Sequence, residues 1–159
     1  SYMITGFLVV FSIAIILVSI PKLNKEPLTI NGSWRLIRSV DMTKNDTTVT
    51  IYNQGHELYK IINDAHFSFL ELNPSLKING VPYFVVGGGR YTFKNNAYTE
   101  CIDYCNNPNL QNSTTVYHVE MIKDTLKLKS IKNKNKDEIE HLSINTYIKI
   151  PEEQCKKQQ

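Results

Sequence analysis

Between Arg35 and Ile150 the apolar residues come in short alternating runs, separated by Asn, Gly, Asp and Pro. A helix needs its apolar residues three and four apart, whereas a strand shows one face at every second residue. Tyr91 and Phe93 flank Thr92, and Leu126 and Leu128 flank Lys127, so each run carries one apolar and one mixed face. This spacing predicts strands over 35–40, 47–52, 58–62, 66–72, 83–86, 90–94, 97–104, 116–122, 125–131 and 141–150. Asn95-Asn96 and Lys123-Asp124 read as tight hairpin turns, while Asn73-Pro74 and Asn79-Gly80 punctuate a longer connection. Beyond the opening segment no amphipathic helix is legible.

Eight to ten short strands joined mostly as hairpins favour an antiparallel up-and-down meander. Closing that meander into a barrel of about eight strands removes edges that would otherwise recruit other chains. About 138 residues follow Pro21, enough for one domain and too few for two.

Ahead of this domain lies an uncharged stretch, 1–21, whose apolar run from Ile4 to Ile20 spans about 25 Å as a helix. That approaches the bilayer core and reads as an N-terminal transmembrane signal-anchor helix, with a cleavable signal peptide or a core helix as its rivals. A small-x-small cleavage pattern is missing from Ser19-Ile20-Pro21, and no cysteine follows the run to accept a lipid. Lys22 and Lys25, offset by Glu26, vote weakly for a cytoplasmic domain. A lone N-terminal apolar segment habitually carries the following domain across, so export to a periplasmic or extracellular side is expected, with secretion if the segment is cleaved. The chain thus divides into the segment 1–21, a linker 22–30, a barrel 31–151 and a polar tail 152–159.

The net charge of +3 is mild. Much of the excess sits in Lys127 to Lys136, where lysine alternates first with apolar residues and then with Asn. Without an arginine cluster or interleaved aromatics this is a strand with a solvated face, and no nucleic acid is expected as a partner. Three cysteines, Cys101, Cys105 and Cys155, leave an odd count. Residues four apart in a strand are too distant for a disulfide, so Cys101 and Cys105 pair only if the chain turns between them; otherwise Cys105 reaches Cys155 or all three stay unpaired.

No reaction is named by the remaining residues. Gly87-Gly88-Gly89 lacks the lysine and helix of a phosphate loop and reads as a bulge or barrel corner. His56, His66, His118 and His141 lack metal spacing, so no metal, cofactor or catalytic residue is assigned. Asn31, Asn45 and Asn112 begin glycosylation triplets, which matter only for an exported eukaryotic chain. Tyr98 and Glu100 share one strand face, expected to include Ile102 and Tyr104, with Cys101 and Asp103 outward. If that face points inward, Glu100 is a carboxylate inside an apolar barrel, with a raised pKa or a partner such as Arg90, His66 or Tyr91.

Gly32-Ser-Trp-Arg-Leu36 resembles the Gly-x-Trp start of lipocalins and other calycins, where the tryptophan plugs the closed end of the barrel. Three further blocks are similar to a lipocalin-like bacterial family of unknown function: 59–69, 87–100 and 123–126. The resemblance implies an eight-stranded barrel with Trp34 at its base and export signals, but no activity. The expected role is a membrane-tethered, non-enzymatic binding or accessory module. A small hydrophobic ligand would lie in the barrel against Tyr91, Phe93, Tyr98 and Glu100. In the alternative, the interior is filled by side chains and the outer wall or the apolar segment docks onto a larger membrane protein complex.

Overall fold

The computed structural model describes residues 28–135 and 138–151. The apolar run, which carries the expected N-terminal helix, and the polar tail with Cys155 lie outside them. Among the described residues there is no helix, and hence none long and apolar enough to cross a membrane.

Nine antiparallel strands follow one another: β1 (Gly32–Thr43), β2 (Thr47–Ile51), β3 (Glu57–Ile62), β4 (His66–Ile78), β5 (Val81–Lys94), β6 (Ala97–Cys105), β7 (Thr114–Ile122), β8 (Thr125–Asn135) and β9 (Glu138–Lys149). From β3 to β9 each strand pairs with the next, and β9 returns to pair with β1. Eight strands therefore close into a barrel, with β2 as a ninth laid along the far half of β1. The two halves of β1 take different partners on one edge: Gly32–Arg35 pair with β3, and Arg38–Met42 pair with β2. The Tyr52 amide bridges the change by donating to the Ile37 carbonyl at 3.1 Å.

Two of the expected strands, 83–86 and 90–94, are one. β5 runs unbroken through Gly87–Gly89 because these glycines let residues of β4 and β6 approach its backbone. A Cβ on Gly88 would lie 2.4 Å from the Phe67 carbonyl oxygen, and one on Gly89 would lie 2.0 Å from that of Cys101. The expected bulge is present too, at the register shift between Gly88 and Gly89, where β6 carries Asp103 as its extra residue. The expected long connection after Asn73 is instead a continuation of β4, which ends in a two-residue turn. Asn79 and Gly80 supply the left-handed φ values of 53° and 80°. Such a turn matches the twist of its flanking strands, so the hairpin extends to the turn itself.

All the turns 63–65, 95–96 and 123–124, the start of β1 and the end of β9 gather at one end of the barrel. Trp34 closes that end. Its ring is 1% exposed and its indole N–H donates to the Ile30 carbonyl at 2.9 Å, which folds the incoming chain beneath the barrel. Ile30, Leu36, Ile62, Phe67, Tyr98, Val119, Leu126, Leu128 and Tyr147 complete the core around it. These residues come from β1, β3, β4, β6, β7, β8 and β9 as well as the incoming segment, and Tyr91 and Phe93 of β5 pack against them to complete the circumference.

Candidate functional site

The inward face of β3 reads Leu58, Lys60, Ile62, and Lys60 carries an ammonium into the core. From β6, Glu100 projects into the same interior, and the two side chains form an ion pair, each 6% exposed. Four rings surround the ammonium. Its Nζ stands 5.4 Å from the centre of Phe67, 5.7 Å from Tyr117, 5.7 Å from Tyr147 and 5.8 Å from Tyr98. Ring faces are electron-rich, so this cage adds attraction to a cation already neutralised by its carboxylate. An isolated charge could not stay there, because the interior solvates neither partner alone.

The same burial acts on the tyrosines. Loss of water holds the Tyr147 phenol well above its ordinary value, and the Glu100 carboxylate reinforces the shift. Tyr98 is pushed up in the same way, by burial first and by Glu100 second. Tyr117 is also raised by burial, with the Lys60 ammonium opposing. The Tyr98 hydroxyl is enclosed and has no aligned hydrogen-bond partner among the described residues.

The expected lining divides. Tyr98 and Glu100 point into the interior, and the Tyr91 ring packs 5.1 Å from Tyr98. Tyr91 and Phe93 also border a groove of about 430 Å3 at the closed end, with Leu28, Ile30, Asn31 and Asp64. Neither Tyr98 nor Glu100 reaches that groove. Tyr104 does not share the Tyr98–Glu100 face. The extra residue Asp103 reverses the alternation beyond it and turns Tyr104 out, 56% exposed, over Gly88.

None of the three expected partners holds Glu100. Arg90 is spent outside the barrel, where its Nε and Nη2 donate to the Asp103 carboxylate at 2.9 and 2.8 Å. That pairing keeps the Asp103 carboxyl below its usual range. Tyr91 donates its hydroxyl to the Asn63 carbonyl, and His66 is exposed opposite Arg90. The partner is Lys60, which the sequence reading passed over. Its signal was present in phase: Lys60 stands two residues from Leu58 and two from Ile62, in the apolar register of its strand.

Toward the open end the interior turns polar. His56 Nε2 lies 2.9 Å from Glu71, and the His141 ring lies 3.2 Å from Asp41, whose carboxylate also accepts from Ser39. Tyr52 packs tilted against His56, ring centres 4.3 Å apart, and is pushed up to about 12 by burial and by Glu71. Among the described residues no group of acidic, histidine or cysteine side chains could hold a metal ion. Cys101 and Cys105 are not joined to each other.

The outer wall carries its own feature. Ile61, Leu70, Leu72, Phe84 and Val86 are between 39% and 55% exposed on adjacent strands β3, β4 and β5. Leu70 stands opposite Val86, and Leu72 opposite Phe84, so they form one strip. A groove of about 440 Å3 runs along it, bordered by Tyr59, Ile61, Leu70, Val86 and Ile150. No protein-family model, curated protein or solved structure matches the chain.

Proposed function

We propose that this chain is a membrane-tethered, non-enzymatic, lipocalin-like accessory module that docks a partner protein of a larger membrane complex. The carrying observation is the Lys60–Glu100 pair. With its four rings it occupies the barrel where a carried ligand would lie. A barrel filled in this way is a rigid support, and its recognition surface is its outside. The strip of Ile61, Leu70, Leu72, Phe84 and Val86 offers apolar area of the kind that partners bury. The closed eight-stranded barrel with Trp34 at its base supports the lipocalin-like part of the reading. The uncharged run Ile4 to Ile20 supports the tether and, with it, an exported barrel.

Native mass spectrometry of detergent-extracted full-length protein tests this reading. A retained partner protein is expected, lost in Leu70→Glu and Val86→Glu variants that keep the parent melting temperature. A stoichiometric small molecule with no partner protein would overturn it. One observation favours that second reading: the enclosed Tyr98 hydroxyl, with no aligned partner among the described residues, has capacity for a polar atom of a small ligand.

A further inference from the structure

Unpaired cations collect at the closed end of the barrel. Lys94 ends β5, Lys123 occupies the turn before β8, and Lys149 ends β9 with its Nζ 5.8 Å from the Trp34 ring. All three are exposed. Just above this rim, Arg35 and Lys127 stand on the outer faces of β1 and β8. Among the described residues none of the five lies within ion-pairing distance of a carboxylate. Among the described residues the acidic groups at this end are Asp64, Asp124 and, beside Lys127 in the register, Glu120. Asp64 accepts a hydrogen bond from the Asn31 amide.

At the opposite end the balance reverses. Among the described side chains there, Asp41, Asp46, Glu57, Glu71 and Glu140 outnumber Lys44, Lys77 and Lys132. The barrel is therefore electrically polar along its axis, with its basic end at the base closed by Trp34.

That base is also where the chain arrives from residues 1–27. Leu28 to Asn31 pass beneath the barrel, and residues 22–27, between Pro21 and Leu28, reach about 20 Å at full extension. A base held so near a bilayer comes within a few screening lengths of its headgroups, where each lysine gains from anionic lipid. We propose that the closed end is a docking face for anionic lipid headgroups, with Lys94, Lys123, Lys127, Lys149 and Arg35 as its contacts. The barrel stands base-down on the membrane and presents its acidic open end away from it, with the apolar strip rising along its side wall. The proposal rests on the tethered reading above.

Trp34 is the single tryptophan of the chain and lies at this base, so it reports the height of the closed end. The full-length protein is inserted into vesicles of phosphatidylcholine, or of the same lipid with roughly a third phosphatidylglycerol, each doped with a dansyl lipid. Energy transfer from Trp34 to dansyl is expected to be stronger in the anionic vesicles. The excess should vanish in about 1 M salt, where charges are screened beyond roughly 3 Å. It should vanish equally in the Lys94→Gln/Lys123→Gln/Lys127→Gln variant at low salt. Transfer that is the same in both vesicles and indifferent to salt overturns the docking face, and oligonucleotide capture by the same lysines would reassign it. Failure to co-float with phosphatidylcholine vesicles overturns the tether itself, a separate result.

Discussion

Lys60 on β3 and Glu100 on β6 meet inside the barrel as an ion pair, although 40 residues separate them in the chain. Everything nearby is arranged around that meeting: the four rings, the neutral tyrosines and the enclosed hydroxyl of Tyr98.

Removing one partner strands the other. Lys60→Met and Glu100→Leu are each expected to cost about 3–5 kcal/mol, because a buried charge is left uncompensated. The double variant Lys60→Met/Glu100→Leu should recover most of that loss, since apolar side chains of similar volume avoid the desolvation of both ions. Urea unfolding at neutral pH gives the three values. Losses that simply add in the double variant would show that the two groups do not act as a pair.

The buried tyrosines make the fold sensitive to alkali. In the unfolded chain a phenol ionises near pH 10, as it does in model peptides. Tyr98, Tyr117 and Tyr147 are raised in the fold, and Tyr52 is raised to about 12. Above about pH 10 the unfolded state therefore holds fewer protons than the native state, and stability falls as pH rises. Below that pH the contribution is fully present. Phenolate absorbance should show these four groups ionising only together with loss of structure. Their titration near pH 10 in a protein that stays folded would contradict their burial.

Adding a single methyl separates two kinds of glycine. Gly88→Ala puts a Cβ 2.4 Å from the Phe67 carbonyl and 2.7 Å from the Tyr104 hydroxyl, an overlap expected to cost about 3 kcal/mol. At Gly80 a Cβ meets nothing within 4 Å, and only the φ of 80° opposes it, at about 1 kcal/mol. Thermal melts of the two variants should rank in that order. The reverse ranking would mean that β5 does not approach β4 and β6 as closely as the structure has it.

Trp34→Phe leaves the Ile30 carbonyl without its indole donor, a loss of about 2 kcal/mol. In the parent protein, Trp34 fluorescence should resist quenching by acrylamide until the barrel unfolds, because the ring is 1% exposed. Ready quenching in the native state would mean that the base of the barrel is open.

Much of the barrel was legible because its strands are amphipathic and its turns carry residues that tolerate a left-handed backbone. Asn95 and Asn96, at φ 52° and 60°, turn the hairpin where the sequence suggested. Trp34 was expected at the base only from the resemblance of Gly32–Leu36 to the start of lipocalins; the alternation of its own strand does not say which end of the barrel it closes. The length of β5 was not legible. Glycine weakens strand propensity, and only the approach of Phe67, Cys101 and Tyr104 shows why Gly87–Gly89 belong inside one. Tyr104 was misplaced for a related reason, since a bulge at Asp103 leaves no mark in the alternation before it.

The sequence by itself determined the mainly β class, most of the strand positions, the face that Tyr98 shares with Glu100, and the uncharged run that precedes the barrel. These follow from local periodicity, which a strand carries in its own residues. The tertiary structure decided that this face points inward, that Lys60, not Arg90, neutralises Glu100, and that five cations with no carboxylate partner among the described residues gather at one end. All three depend on closure and register, which bring distant strands side by side. A charge in a core must find its partner across that distance or not be buried at all.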